Sequence, residues 1–148
     1  MIKLITWDVI KEVWANFLWP VRSSPIESNS AMSYLGGYSS YNMNTNPTFF
    51  GYYVEGDLIG VNSGHICENN QYRSRGLYVS DKYRGQGFGV ELLLATVNQA
   101  KIENADLIWS LPRQSSWKTY SRAGFVLSSD WFKTETSESN AYCVLKFK

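Results

Sequence analysis

The stretch LYVSDKYRGQGFG, from Leu77 to Gly89, predicts a β-strand followed by a short turn and the start of an α-helix. Three glycines stand at alternate positions near its end: Gly85, Gly87 and Gly89. Because they lack a Cβ, they allow the backbone to approach a ligand closely. The free N–H groups and the positive dipole end of the following helix favour an anion, and Lys82 and Arg84 add positive charge. We therefore hypothesise that this turn binds a pyrophosphate.

The composition is that of a folded protein with little net charge. The 148 residues, 16% aromatic and 18% charged, are enough for one domain over residues 1–148 with a buried core. A formal net charge of +1 favours neither nucleic acid nor a membrane surface as a partner. No apolar run reaches the roughly 18 residues of a membrane span and no signal sequence is evident, so we predict a cytoplasmic protein. Cys67 and Cys143 are isolated and His65 is the single histidine, so no metal is predicted.

The first third of the chain predicts a strand, a helix and a long loop. Met1–Ile5 alternates like a strand, and Asp8 can cap a helix that Pro20 ends. The apolar face of this helix consists of Ile10, Val13, Trp14, Phe17 and Leu18. The segment Val21–Pro47 is rich in Ser, Asn, Gly and Pro and reads as a loop, with room for a short helix over Ser30–Leu35.

The remainder predicts strands on both sides of one central helix. Three successive strands are expected over Thr48–Val54, Leu58–Cys67 and Gln71–Val79. The helix after the glycine turn should bury Val90, Leu93, Leu94 and Val97. A strand over Asp106–Leu111, a short helix from Ser115 or Ser116 to Ala123, and a strand over Phe125–Leu127 follow. Trp131–Thr136 and Ala141–Lys148 read as a closing antiparallel pair.

Two common phosphate-binding motifs do not fit the glycine turn. A P-loop requires Lys and Ser or Thr directly after the last glycine, where this chain has Val90 and Glu91. A dinucleotide-binding loop needs an acid at the end of the next strand, and Asp106 precedes that strand instead.

The chain resembles the GNAT N-acetyltransferase superfamily over nearly its whole length. Leu77–Gly89 resembles the central motif of that family, whose core Arg/Gln-x-x-Gly-x-Gly/Ala is matched by Arg84, Gly87 and Gly89. Tyr120–Phe125 resembles its Tyr-x-x-x-Gly-Phe motif. The resemblance implies a single-domain α/β (α+β) acyl-CoA N-acyltransferase fold. Its mixed, mostly antiparallel sheet is flanked by helices, with a V-shaped split between the fourth and fifth strands.

The resemblance also implies acetyl-CoA as cosubstrate and an amine as acceptor, with no metal. The pyrophosphate would lie on the backbone amides of Arg84, Gly85, Gln86, Gly87, Phe88 and Gly89. Pantetheine would run beside the strand residues Leu77, Tyr78 and Val79. Arg113 stands where many members carry an Asn that contacts pantetheine, and Ser116 lies in the same turn. Arg113 could equally reach a coenzyme phosphate or an acidic substrate.

Acetyl transfer to an amine needs a neutral nucleophile, stabilisation of the oxyanion and a proton for the leaving thiolate. By family similarity, the N–H of Val79 stabilises the oxyanion, and Tyr120, whose unperturbed pKa is near 10, protonates the leaving thiolate. A purely packing role for Tyr120 is the alternative. The family often has a glutamate early on the central strand, and this chain has none there. The base is therefore His65, Glu68 or an ordered water chain.

The acceptor is not identified by the sequence. A small amine and a protein amine are both open, and Tyr34, Tyr38 and Tyr41 lie in the region that lines the acceptor site in the family. Arg73 and Arg75, expected on one strand face with Leu77 and Val79, either bind an acidic group or face solvent. A non-catalytic acyl-CoA-binding or sensing module and a longer acyl donor are the alternative functions. Homodimers are common in the family.

Overall fold

The computed structural model describes residues 1–134 and 138–148. Within them the strands are β1 (Ile2–Leu4), β2 (Thr48–Val54), β3 (Asp57–Cys67), β4 (Gln71–Val79), β5 (Leu107–Ser110), β6 (Val126–Leu127), β7 (Phe132–Lys133), β8 (Ser139–Asn140) and β9 (Cys143–Lys146). The α-helices are α1 (Trp7–Val13), α2 (Phe88–Ile102) and α3 (Trp117–Arg122). A π-helical turn, Trp14–Leu18, extends α1, and short 3-10 turns connect other elements.

Seven strands form one sheet in the order β1-β2-β3-β4-β5-β9-β6, and β7 pairs with β8 alone. All neighbours in the large sheet are antiparallel except β4 and β5, which run parallel. The parallel pairing covers the three residues Gln71–Arg73 of β4, although β4 continues to Val79. The two strands therefore separate beyond Arg73, which confirms the predicted split between the fourth and fifth strands.

Strand β4 contains a β-bulge at the point where it separates from β5. One residue of β3, Asn62, lies opposite two residues of β4, Gly76 and Leu77, and Gly76 has a φ of 78°. An extra residue in a strand turns every later side chain to the opposite face of the sheet. Tyr72 before the bulge and Leu77 after it consequently pack into the same core cluster, on the side of α2 and α3.

The bulge corrects the predicted face of the β4 arginines. Strict alternation placed Arg73 and Arg75 with Leu77 and Val79, but the two pairs lie on opposite faces. Val79 points towards the start of α2, whereas Arg75 stacks on Trp14 beside α1. The alternation fails because Gly76 is inserted between the pairs.

Both faces of the sheet are covered. On one face, α2 and α3 bury a cluster that contains Tyr72, Leu93, Val97, Ile108 and Phe125. On the other face, Ile10 of α1 and Trp14 of the π-helical turn pack against Val61. Trp109 of β5 is also fully buried.

Three local predictions in the first two thirds of the chain are wrong. Thr6, rather than Asp8, caps α1, since its Oγ1 accepts a hydrogen bond from the Val9 N–H at 3.4 Å. Ser30–Leu35 forms no helix; an isolated bridge pairs Met32 with Tyr38 around a tight turn instead. Leu94 is 48% exposed, because Leu92 and Leu93 already fill the space between α2 and the sheet.

The predicted closing hairpin is also wrong in its pairing. Cys143–Lys146 (β9) joins the large sheet between β5 and β6, while Phe132–Lys133 pairs with Ser139–Asn140. The insertion of β9 buries Cys143 and Val144 in the core, which pairing with β7 would not achieve. Thr136, at the end of the first predicted strand, lies outside the described residues. In the part of the chain that is described, no helix is long and apolar enough to cross a membrane.

Candidate active site

A cleft of about 640 Å³ opens where β4 and β5 separate. Its walls are the second half of β4, the start of α2, the beginning of α3 and the π-helical turn after α1. Most of the predicted site residues line it: Leu77, Tyr78, Val79, Arg84, Gly85, Gly87, Phe88, Gly89, Arg113, Ser116 and Tyr120. Gln86 and His65 do not line it.

The glycine turn presents its backbone to this cleft. Gly85 and Gly87 have φ angles of 77° and 90°, which favour glycine, and a Cβ on either would meet no atom within 4 Å. Gly87 is the N-cap of α2, and no side chain bonds the free N–H groups of the first helical turn. These two glycines therefore leave open space in front of unpaired backbone donors, which fits a closely approaching anion. Gly89 instead allows contact with α3, since a Cβ there would lie 3.0 Å from Thr119 Cγ2.

The backbone of Val79 faces the split. The Ser80 N–H donates to the Ile59 carbonyl of β3 at 2.8 Å, and neighbouring N–H groups of a strand point in opposite directions. The Val79 N–H is thus directed away from β3 towards the cleft. Its carbonyl lies on the same side and accepts a hydrogen bond from Arg84 Nε at 2.9 Å. Arg84 also forms a salt bridge with Asp81 at 2.9 Å.

Tyr120 lies on α3 at the inner end of the cleft and is 4% exposed. Burial raises the pKa of its phenol well above 10, against smaller opposing effects of a hydrogen bond with Ser110 and the charge of Arg73. The hydroxyl is therefore protonated at neutral pH and is available as a proton donor. Its ring packs against Phe125 with centroids 5.6 Å apart, so the side chain is also part of the core.

Ser110 is a site residue that sequence reasoning missed. It is buried on β5 and its Oγ donates to the Ser74 carbonyl of β4 at 2.8 Å, across the point where the strands have separated. The side chain thus replaces a ladder hydrogen bond that the split removes. In the sequence, Ser110 ends an apolar strand and carries no motif that would identify it.

The part of the cleft next to the start of α3 is lined by polar side chains. Arg113 Nη2 donates to the Leu18 carbonyl at 2.8 Å, which connects the β5–α3 turn to the π-helical turn. Glu138 accepts hydrogen bonds from the Ser115 N–H and hydroxyl, both at 3.0 Å, and these lower the pKa of its carboxyl. Gln86 donates to the Lys82 carbonyl at 3.2 Å, outside the cleft lining.

The two predicted candidates for the base lie away from the cleft. His65 is fully buried, and burial lowers its pKa to about 4, so its ring is neutral at neutral pH. Its Nδ1 lies 3.0 Å from the Ile66 carbonyl, and its Nε2 has no hydrogen-bond partner among the described residues. Glu68 accepts a hydrogen bond from Ser39 at 2.5 Å. Neither residue lines the cleft.

The three loop tyrosines are also outside the cleft lining. Tyr34 packs against Trp109 and Tyr142, with ring centroids 5.9 and 6.0 Å away. Tyr38 and Tyr41 are 77% and 50% exposed. Arg73 and Arg75, by contrast, do line the cleft, and Arg75 is only 5% exposed, so the solvent-facing alternative is wrong for Arg75.

The model of the acetyltransferase (GNAT) family matches residues 8–125. The chain belongs to the GNAT acetyltransferase family. The match includes the glycine turn and the Tyr120–Phe125 motif, so the predicted family is confirmed. Membership of this family supports an enzyme of the acetyltransferase class. No protein with a curated description matches the chain in sequence.

Solved structures of other GNAT proteins share the fold. The IAA acetyltransferase of Bacillus cereus ATCC 14579 is 14% identical with a TM-score of 0.69, over 99% of both chains. A GNAT family acetyltransferase from Elizabethkingia anophelis with acetyl-CoA bound is 14% identical with a TM-score of 0.58, over 68% of this chain and 76% of that one. Nourseothricin acetyltransferase is 22% identical with a TM-score of 0.59, and the match covers 68% of this chain and 65% of that one. At these identities the likeness shows the fold alone.

Proposed function

We propose that this GNAT protein transfers an acetyl group from acetyl-CoA directly to a primary amine. The observation that supports this most strongly is that two motifs far apart in sequence meet at one cleft. The glycine turn at the start of α2 and Tyr120 on α3 both line the split between β4 and β5. An anion-binding backbone can hold the coenzyme phosphates, and a buried hydroxyl beside it can protonate the leaving thiolate.

The residues present fit acetyl-CoA. The amides from Arg84 to Gly89 would hold the pyrophosphate, since Gly85 and Gly87 leave the space in front of them open. Lys118 and Arg122 line the cleft nearby and can neutralise further phosphate charge. From Leu77 to Val79, the side of β4 that faces β5 pairs with no strand in the described residues and can bond the pantetheine amides. Arg113 and Ser116 would contact the same arm.

Bound acetyl-CoA would supply a thioester whose carbonyl carbon forms a bond to the amine nitrogen as the bond to sulfur breaks. The Val79 N–H, directed into the split, would stabilise the negative charge that develops on the carbonyl oxygen. The Tyr120 hydroxyl would donate its proton to the departing sulfur.

The amine would lose its proton to solvent water. His65 and Glu68 would not accept this proton, because neither lines the cleft. The proposal also includes no acetylated enzyme. Cys67 and Cys143 are buried outside the cleft lining, and burial raises the pKa of their thiols to about 11 and about 12. Such thiols form almost no thiolate at neutral pH.

A non-catalytic sensor of acyl-CoA is the second candidate, and the position of both predicted bases outside the cleft favours it. Tyr120→Phe separates the two functions. For a catalyst, we expect kcat to fall by about 10²–10⁴-fold while the Kd for coenzyme A is unchanged. Tyr53→Phe, which removes a hydroxyl from β2 outside the cleft lining, is the matched control and should keep full turnover. Tight coenzyme A binding with no wild-type turnover would identify a sensor instead.

Domain organisation, cellular location and metal content are further parts of the proposal. We propose that residues 1–148 form one domain that acts in the cytoplasm without a metal. In the described residues, no group of three or more His, Cys, Asp or Glu side chains could hold a metal ion. The homodimer implied by the family resemblance stays a prediction.

A further inference from the structure

Two arginines of the central strand lie on the floor of the cleft, on the side of α1. Arg75 is 5% exposed, and its guanidinium lies 5.0 and 5.1 Å from the ring centroids of Trp14 and Trp19. The Arg73 guanidinium lies 4.9 Å from the ring centroid of Trp109. These aromatic rings hold both arginine side chains in place before any ligand binds. The two guanidinium groups are therefore rigid, pre-oriented hydrogen-bond donors.

Neither guanidinium forms an ion pair in the described parts of the chain, although the charge of Glu27 acts on Arg75 from beyond salt-bridge distance. Arg75 Nη1 donates to the Glu27 backbone carbonyl at 2.7 Å and Arg73 Nη1 to the Ser30 hydroxyl at 2.7 Å, and both acceptors are uncharged. Arg73 Nε is buried and has no hydrogen-bond partner there. No salt bridge to either arginine is formed among residues 1–134 and 138–148. Donors of this kind are suited to a ligand that supplies the missing negative charge.

Both arginines are charged at neutral pH. Burial lowers the pKa of Arg73 to about 10, and the charge of Arg22 contributes. Burial lowers the pKa of Arg75 to about 9, with smaller contributions from the charges of Arg73 and Arg22, which the charge of Glu27 opposes. Two buried cations repel each other, and an anion that binds beside both offsets this repulsion.

The rest of the cleft lining carries the same sign. Its cationic side chains are those of Arg73, Arg75, Arg84, Arg113, Lys118 and Arg122. Glu138 is the carboxylate among the described lining residues, and it already accepts two hydrogen bonds from Ser115. The bulge at Gly76 places Arg73 and Arg75 on the opposite face of β4 from Val79, which meets the start of α2. A phosphate held at the glycine turn would therefore leave the charge of these two arginines unmatched.

We infer that the acceptor is a small amine that also carries a carboxylate, and that Arg73 and Arg75 bind this carboxylate. The inference rests on the proposed acetyl transfer and gives its acceptor a chemical class. A guanidinium presents a planar pair of N–H donors that matches the two oxygens of a carboxylate. We expect polyamines and basic peptides to be poorer acceptors, since a second positive charge would face Arg73 and Arg75.

The first test compares matched acceptors with the wild-type protein in a coenzyme A release assay. The panel consists of α- and ω-amino acids, the carboxamide of each, and diamines of the same lengths. Charged hydrogen bonds typically change affinity by a factor of ten or more. We therefore expect the kcat/KM of at least one acid to exceed that of its own carboxamide by about tenfold or more. Carboxamides or diamines that react as well as the acids would overturn the inference.

The second test removes the charge. Arg75→Met should lower kcat/KM for the preferred acid by about tenfold or more and leave its carboxamide within about threefold, because only the acid uses the charge. Arg73→Met should act in the same way, and Arg75→Lys should lose less. Lys11→Met, which removes one charge from the exposed face of α1, is the control. An equal loss for acid and carboxamide, with coenzyme A affinity also reduced, would indicate a structural role and contradict the inference.

Binding without turnover separates this inference from the proposed function. Isothermal titration of the preferred acid into the protein–coenzyme A complex should give a Kd that Arg75→Met raises by about tenfold or more. If that holds and no acid or amine releases coenzyme A, the transfer proposal fails and the carboxylate site is retained. If neutral amines are acetylated and no acid binds, the carboxylate site is wrong.

Discussion

Replacing Gly76 by Ala tests whether the bulge in β4 is built around Trp14. A Cβ at Gly76 would lie 2.3 Å from the Trp14 ring, and the φ of 78° is unfavourable for any residue with a side chain. The Trp14 Nε1–H also donates to the Gly76 carbonyl at 2.8 Å. Three costs therefore coincide at one residue.

The magnitude follows from adding these costs. Left-handed backbone costs about 1–2 kcal/mol for a residue other than glycine. Overpacking against the ring adds about 1–3 kcal/mol, and a lost or bent hydrogen bond adds about 0.5–1.5 kcal/mol. We expect Gly76→Ala to lower the free energy of unfolding by about 2.5–6.5 kcal/mol in total.

Gly56→Ala is the matched control for Gly76→Ala. Gly56 has a φ of 84°, but a Cβ there would meet no atom within 4 Å. This variant should therefore show the backbone cost alone, about 1–2 kcal/mol. Urea unfolding followed by tryptophan fluorescence measures both variants. Equal losses for the two would refute the claim that Trp14 packing maintains the bulge.

Two further predictions concern the glycine turn and the buried histidine. Gly87→Ala puts a methyl group into the open space before α2, so the Kd for coenzyme A should rise by about tenfold or more in calorimetry. Gly56→Ala is the control and should leave this Kd unchanged. An unaltered coenzyme A affinity in Gly87→Ala would argue against the phosphate site. His65 has its pKa lowered to about 4 from a usual value near 6.5, so protonation favours the unfolded chain and stability falls as the pH drops below 6.5. Between pH 7 and pH 5 the wild type should lose about 2 kcal/mol more than His65→Asn does in urea unfolding. Parallel pH profiles for the two proteins would contradict the buried, neutral histidine.

Predictions from local patterns agree well with the structure. The strands Thr48–Val54 and Gln71–Val79 coincide with β2 and β4, because alternation and flanking turn residues are properties of neighbouring residues. The start of α2 at the glycine turn is equally local. Together with Tyr120–Phe125, that turn was enough to predict the family.

Features that depend on distant contacts could not be predicted. The bulge at Gly76 is accommodated by Trp14, which lies far away in sequence, so alternation alone placed Arg73 and Arg75 on the wrong face. Ser110 is part of the site because β4 and β5 separate beside it, and nothing in its own surroundings indicates that.

The sequence also does not predict which strands pair with each other. Residues Cys143–Lys146 read as a strand, but their pairing with β5 and β6 depends on which edge of the sheet is free. His65 showed a similar limit. A histidine near a strand end can be a base or a buried residue, and only its position in the fold distinguishes the two.

The most direct test of the central claim is mass spectrometry of the amine panel after incubation with the protein and acetyl-CoA. The proposal predicts that an amine gains one acetyl group, that an equal amount of coenzyme A is released, and that the reaction depends on Tyr120. Tight binding of acetyl-CoA with no acetylated amine anywhere in the panel would contradict acetyl transfer and identify the cleft as a binding site alone.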